Sequence, residues 1–221
     1  MNIFTKLAAA ASVAIAAFAG SANAGVVFSF TETAKGVQMT ASGSIDVSGL
    51  VATSNAGWGG TGIESNSEID ILGSNMGGMD ATYTFNSGTD LSAWDTASGP
   101  FSKSYFSWDK SGTTSFATYA RIKNLRVPGL TVDSSDLAGT IWTPDNSWMA
   151  AGQSFSSLGL NAGVYTITDA VSAESLTIDV GGTYNPDPGG NPAAVPVPAA
   201  LPLLGAGIAA LGLVARKRKS A

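Results

Sequence analysis

Carboxylates are the side chains of this chain that could most readily do acid–base chemistry, because it has no histidine and no cysteine. Those absences exclude Ser-His and Cys-His nucleophile systems and the commonest zinc ligands. Glu64, Glu68 and Asp70 lie close together beside a glycine-rich stretch. Two carboxylates roughly 5 to 10 Å apart could hydrolyse a glycosidic bond. A charged, solvated edge strand also explains these residues. We favour that interpretation and predict no catalytic residue.

Aspartates in turn-like segments could instead bind calcium through their hard oxygen atoms. Asp133 and Asp136 share the segment 132–136, and Asp109 lies in a predicted hairpin loop. Neither EF-hand spacing nor a glycine-aspartate nonapeptide repeat surrounds them. Aspartate and serine are also ordinary turn formers, so we predict no metal site and no cofactor.

The tryptophans could provide platforms on which sugar rings stack. Trp108 and Trp142 lie in strand-like patterns, which favours burial in a core, and Trp94 lies in a predicted helical turn. Trp58 and Trp148 lie in predicted loops and are the better ligand candidates. Packing remains the favoured role for tryptophan. A surface carbohydrate-binding module or a carboxylate-dependent hydrolase is therefore the alternative function.

The elements that position these residues are predicted to be β-strands. Glycine, serine and threonine are abundant, charge is sparse, and short alternating runs are separated by turn residues. This pattern predicts an all-β fold, a β-sandwich or jelly-roll-like single domain over residues 25–180. The predicted strands cover residues 26–33, 37–47, 68–72, 81–85, 102–108, 113–119, 139–143, 154–158, 164–168 and 175–180.

Turn residues divide these strands into predicted hairpins. The first pair turns at residues 34–36, and Gly43 is interpreted as a bulge before the second strand continues to Val47. Further hairpins are predicted for 102–108 with 113–119 and for 164–168 with 175–180. Residues 181–194, rich in proline and glycine, are predicted to form an extended linker.

Residues 1–24 have the three parts of a secretory signal peptide. Lys6 supplies the positive charge, residues 7–19 are apolar, and Ala22 and Ala24 form a small-x-small cleavage site. Cleavage by signal peptidase would leave Gly25 as the new N-terminus. An uncleaved anchor is less favoured, because the apolar region is short and rich in alanine. We therefore expect export through the inner membrane.

Residues 195–221 combine a proline motif, an apolar stretch and a basic end. The uncharged run 199–215 would form a helix of roughly 25 Å, which is at the short end of what spans a bilayer. The cations after it should stay in the cytoplasm. Such a segment could be a plain transmembrane anchor or a removable sorting signal, and the cations at its end disfavour a buried core helix. The motif is Val195, Pro196, Val197, Pro198 and Ala199, and the basic stop is Arg216, Lys217, Arg218 and Lys219.

This C-terminal arrangement resembles the PEP-CTERM group of bacterial sorting signals. The similarity lies in the variant whose motif reads Val-Pro-Leu-Pro-Ala, with Val197 in place of leucine, and it extends over residues 201–205 and the basic cluster. The resemblance implies recognition by an exosortase, a membrane-embedded cysteine protease or transpeptidase. Such an enzyme would cut near the proline motif. It would release or transfer the protein to the cell surface or the exopolysaccharide matrix.

The exported body is expected to be strongly acidic. The chain has 11 lysines and arginines and 16 aspartates and glutamates. Loss of both terminal segments would remove five cations and no carboxylate, which leaves a net charge of about −10. Such a body repels nucleic acid, so no nucleic-acid partner is predicted. Acidity that maintains solubility is favoured over recruitment of divalent cations. We expect a non-catalytic surface or matrix protein with a structural or adhesive role.

Overall fold

A five-stranded sheet pairs the first described strand with the last. The computed structural model describes residues 25–54, 60–65, 70–74, 79–94, 99–107, 111–119 and 128–184. The sheet has the order β13-β2-β1-β15-β14. Its strands are β1 (Gly25–Thr33), β2 (Gly36–Gly43), β13 (Ser147–Ala151), β14 (Gly163–Thr168) and β15 (Ser175–Val180).

Two of the three predicted hairpins are confirmed in this sheet. β1 and β2 pair antiparallel from Thr33↔Gly36 outward, and β14 and β15 pair from Thr168↔Ser175 outward. In β1 every second residue from Val26 to Phe30 is buried, as the alternating pattern requires. The parallel pairing of β1 with β15 joins strands from the two ends of the described chain, and the sequence did not predict it.

A seven-stranded sheet contains most of the middle of the chain. Its order is β4-β7-β10-β9-β6-β5-β8. The strands are β4 (Val51–Thr53), β5 (Gly60–Glu64), β6 (Asp70–Ser74), β7 (Ala81–Thr84), β8 (Tyr105–Ser107), β9 (Phe116–Tyr119) and β10 (Gly129–Val132).

The hairpin predicted for residues 102–108 and 113–119 is wrong. β8 pairs with β5 at one edge of the seven-stranded sheet, whereas β9 lies between β10 and β6. Alternation and a permissive loop make such a hairpin possible, but they do not show which other strand offers a better partner. Here the competing partners are distant in sequence.

A three-stranded sheet explains why β2 does not continue to Val47. β2 ends at Gly43, whose φ is +84°, and a Cβ there would clash with the carbonyl oxygen of Gly25. The chain then crosses to a sheet of order β11-β12-β3, so the predicted bulge is wrong. Residues Val47–Gly49 form a 3-10 helix. The strands are β3 (Ile45–Asp46), β11 (Leu137–Ala138) and β12 (Ile141–Trp142).

A short helix occupies the segment predicted as a strand at residues 154–158. Helix α1 (Phe155–Leu158) begins with a capping box, in which the side chains of Ser154 and Ser157 each accept the other's backbone N–H. Gly159 ends it in the left-handed conformation, with φ +67°. The serines therefore act as helix caps here, not as the outward residues of a strand.

The hydrophobic core receives side chains from all three sheets. Phe28 of β1 stacks on Phe116 of β9 with ring centroids 5.1 Å apart, and Phe116 also contacts Trp142 of β12. Among the described residues, strands in sheets predominate and α1 is the one α-helix, so the fold class is all-β as predicted.

The seven-stranded sheet also buries side chains on its other face. Leu72, Ala117 and Tyr119 form a second, smaller cluster with Met79 packed against it. Leu72 and Ala117 are directly opposite each other in the register, while their neighbours Ile71 and Phe116 belong to the main core. Both faces of this sheet therefore contribute buried apolar side chains.

Candidate functional site: the processing ends, the tryptophans and the carboxylates

Gly25, the residue after the predicted signal-peptide cleavage site, lies inside the five-stranded sheet. It is the first residue of β1 and pairs with Ser175 of β15. The next residue, Val26, pairs with Leu176 on one side and Gly43 on the other, and its side chain is fully buried. The predicted cleavage point therefore adjoins a central strand.

The other predicted processing residues lie outside the described part of the chain. These are Ala22, Ala24, the motif Val195–Ala199 and the basic stop Arg216–Lys219. Among the described residues, no helix is both long and apolar enough to cross a membrane. The predicted transmembrane segment is not among those residues, so it stays a prediction.

The structure corrects the predicted loop position of Trp148. This residue lies on β13, opposite Met39 of β2, and only 3% of it is exposed. Its ring meets Phe30 edge-on at 5.8 Å and stacks on Tyr105 at 6.3 Å. The turn-rich residues 144–146 precede a strand that was not predicted from the sequence. Trp148 is therefore a core residue and not an exposed sugar platform.

The remaining described tryptophans are also buried. Trp142 is fully buried, as predicted from its strand pattern. Trp94 is buried as well and donates its indole N–H to the carbonyl oxygen of Tyr165, at 3.0 Å. Trp58 and Trp108 lie outside the described residues. No tryptophan of the described part of the chain therefore offers a stacking face.

The two described carboxylates among the candidate calcium ligands accept protein N–H groups. Asp133 begins a 3-10 helix (Ser134–Asp136) by accepting the N–H and hydroxyl of Ser135. Asp136 accepts the backbone N–H of Ser115 at 2.8 Å. Within the described residues, no group of three or more acidic side chains is arranged to hold a metal. Asp109 lies outside them.

The three carboxylates considered for glycosidic hydrolysis are only partly described. Glu64 ends β5 with a half-buried side chain, and Asp70 begins β6 directly opposite it in the antiparallel register. Glu68 lies outside the described residues. The register thus brings Glu64 and Asp70 to neighbouring positions on adjacent strands, consistent with a charged strand end.

Asp145 is one of the most heavily hydrogen-bonded carboxylates among the described residues. It accepts the backbone N–H and hydroxyl groups of both Thr113 and Thr114, at 2.6 to 3.0 Å. Burial alone would raise the pKa of Asp145, but these donors outweigh it and hold the pKa far below its usual range. Asp145 therefore fastens the segment before β9 to the segment before β13.

A second cluster of carboxylates joins the β14–β15 turn to the segment after β7 and to the end of β3. Asp169 accepts the N–H groups of Asn86, Val171 and Ser172. Burial would raise its pKa, but these hydrogen bonds lower it below the usual value. Glu174 lies near both Asp46 and Asp169, and one of its oxygens is buried without a partner.

Glu174 differs from Asp46 and Asp169 because the pKa of its carboxyl group is raised. Burial raises the pKa of Glu174, and repulsion from Asp46 and Asp169 raises it further. The backbone N–H of Asp46 opposes this only in part. Ala173 beside it has a φ of +62°, the left-handed conformation that non-glycine residues rarely adopt. Asp46, Asp169 and Glu174 thus form a clamp between these segments. One oxygen of Glu174 in it is buried without a hydrogen-bond partner.

None of the four clamp residues was among the candidate site residues predicted from the sequence; they are Asp46, Asp145, Asp169 and Glu174. Asp46 and Asp169 each precede a serine by two or three residues and accept its N–H, which is a signal that could have found them. Asp145 carries no such signal, because its partners lie about thirty residues away in the sequence. The spacing of aspartate and serine along the sequence therefore indicates turns, but it does not indicate hydrogen bonds between distant segments.

Comparison of the chain with protein-family models, with curated proteins and with solved structures found no match. Its function must therefore be inferred from its own residues.

Proposed function

We propose that this chain is an exported, non-catalytic protein of the cell surface or extracellular matrix, with a structural or adhesive role. The observation that carries the proposal is the order of proline motif, apolar stretch and basic end in residues 195–221. Signal peptidase would cut after Ala24. The C-terminal helix would hold the protein in the membrane until an exosortase cuts near Val195–Ala199, after which the body would join the surface or the exopolysaccharide.

The proposed architecture of the body is a β-sandwich. The stacking of Phe28 on Phe116 supports it, because these rings come from the five-stranded and the seven-stranded sheet. Side chains of both sheets share one core cluster.

The engagement of the described carboxylates supports a structural role for the body. Asp133, Asp136, Asp145 and Asp169 each accept protein N–H groups and hold turns or segments together. Trp148, a candidate for sugar binding by its sequence, packs in the core. These contacts favour the non-catalytic hypothesis over the carbohydrate-binding or hydrolytic alternative.

Mass spectrometry of the mature chain tests the proposal. In cells that contain the matching exosortase, we expect a polypeptide that starts at Gly25 and ends near Val195–Ala199. The variant Pro196→Ala should accumulate with its basic end intact, while the linker variant Pro188→Ala serves as the control and should be processed normally. A membrane-bound product that ends at Ala221 in all three would show a permanent anchor instead.

A further inference from the structure

Gly25, the residue after the predicted cleavage point, meets the last strand of the body in the fold. Gly25 has one strand partner in the described structure, Ser175 of β15, because the pairing with β2 begins only at Val26. The two strands that flank β1, β2 and β15, are synthesised at very different times. β2 follows directly, whereas β15 lies about 140 residues further along the chain.

A protease needs the segment around its scissile bond to be extended and free. It pairs with the substrate backbone much as an added strand would, using N–H and C=O groups on both sides of the bond. In the folded body these groups of Gly25 and Val26 are next to β15, and the Val26 side chain is fully buried. Cleavage of the folded precursor therefore requires the start of β1 to leave the sheet first.

We propose that docking of β15 beside β1 closes the signal-peptide cleavage site, so that the leader must be removed before the C-terminal hairpin joins the sheet. This inference rests on the proposed function, because it takes Ala24–Gly25 as the bond that signal peptidase cuts. During export β1 emerges early and its start stays open. The site closes when residues 163–180 emerge and form β14 and β15.

The continuity of the ladder shows how firmly the site is closed. The parallel register runs from Gly25↔Ser175 to Phe30↔Val180, and the N–H of Gly181 extends it to the carbonyl oxygen of Phe30 at 2.9 Å. Val26, Phe28, Leu176 and Ile178 of these two strands are all fully buried. The start of β1 therefore cannot open without exposing apolar surface of the core.

The experiment uses the full-length precursor in detergent with purified signal peptidase. Cleavage after Ala24 is timed for the folded precursor and for precursor diluted from urea immediately before the enzyme is added. We expect the folded form to be cut at least about tenfold more slowly, because cleavage then follows the small population of locally open molecules. Circular dichroism checks that the slow form contains the sheet.

Two variants make the test specific. A Gly/Ser spacer of about six residues between Gly25 and Val26 keeps the cleavage site but moves it out of the sheet, so folded and unfolded forms should be cut at the same rate. Ile178→Asp prevents β15 from docking, because it places a charge at a fully buried position. That variant should be cut rapidly without any urea treatment.

The outcomes separate the inference from the function on which it rests. Equal rates for the folded and unfolded wild-type precursor would refute closure while leaving the signal peptide intact. Slow cleavage of Ile178→Asp would show that β15 does not close the site. Failure of every form, including the spacer variant, to be cut after Ala24 would refute the signal peptide and the inference with it.

Discussion

The five-stranded and the seven-stranded sheet are assembled in different ways. In the five-stranded sheet, two hairpins of neighbouring strands are joined by the long-range parallel pair β1–β15, and β13 adds a second long-range pairing beside β2. In the seven-stranded sheet, β5–β6 and β9–β10 are neighbours in sequence, and the other four pairings join more distant strands. Two of the four pairings in the first sheet are therefore local, whereas four of the six in the second join distant strands and form late.

The two sheets also differ in how the residues of their strands are buried. β1 alternates between buried and partly exposed residues up to Phe30. β9 and β10 are instead buried at every position, with Thr118 and Thr131 fully buried. Alternation identifies a strand in sequence, while continuous burial removes that signal. The sheet with the clearer pattern is thus the one in which two pairings could be predicted.

The largest expected effect comes from removing the ring contact between the two sheets. Phe28→Ala and Phe116→Ala should each lower the free energy of unfolding by about 3 to 5 kcal/mol, because each leaves a cavity in a fully buried site. The double variant should cost less than the sum, since the rings stack on each other. Urea unfolding measures this, and the exposed Thr40→Ala is the control. Strict additivity would mean that the sheets are stabilised independently.

Two glycine-to-alanine variants, one in the five-stranded and one in the seven-stranded sheet, test the two sheets separately. Gly43 and Gly62 both have positive φ, and a Cβ would clash with the carbonyl oxygen of Gly25 or Tyr105, respectively. Gly43→Ala should cost about 2 kcal/mol or more, because the clash displaces the central strand β1. Gly62→Ala should cost less, because it displaces only the edge strand β8.

Gly88→Ala is the matched control for these two variants. Gly88 also has positive φ, but a Cβ there meets nothing within 4 Å. It should cost about 1 kcal/mol from backbone strain alone. Equal losses for all three variants in thermal unfolding would show that the close approaches do not matter.

Removing the clamp between the segments before β9 and β13 should have a moderate effect. Asp145→Ala should destabilise the fold by about 1 kcal/mol, since the carboxylate is exposed and water replaces part of its hydrogen bonding. The lowered pKa of Asp145 means that its contribution is present above the ordinary carboxylate pKa. It is lost as pH falls through the lowered value. Urea unfolding at neutral and acidic pH should show the difference shrinking only in strong acid.

The smallest expected effect has the opposite sign. Because the pKa of Glu174 is raised in the folded protein, its ionised form costs stability, and the favourable contribution is lost as pH rises through that raised value. Glu174→Gln should therefore raise the melting temperature at neutral pH, and the gain should disappear in mild acid. Glu64→Gln serves as a control at a strand end. A loss of stability at neutral pH would instead mean that the charge of Glu174 is satisfied.

The sequence predicted strands better than it predicted their partners. The β1–β2 and β14–β15 hairpins were correct because a turn and two alternating runs contain all the information that pairing needs. The pairing of β8 with β9 was wrong because nothing local reports the competing strands β5, β6 and β10. The strand containing Trp148 was missed because its turn-rich approach, residues 144–146, resembles a loop.

The candidate sites also divide into those that the sequence alone suggests and those whose residues only folding brings together. The terminal motifs are linear, so the sequence alone could suggest them, and their roles as processing signals remain predictions. The clamps at Asp145 and Glu174 depend on partners that only folding brings together. The same holds for Gly25, whose place beside β15 could not be inferred from the residues around it.

The sequence by itself determined the all-β class, the β1–β2 and β14–β15 hairpins and the acidic character of the chain. These follow from the side-chain period, the turn residues and the composition, which act over a few residues or over the chain as a whole. The tertiary structure alone decided strand order, the burial of Trp148 and the pairing of β1 with β15. Those outcomes depend on which distant segments bury the most apolar surface together, and that competition is settled only when the whole body folds.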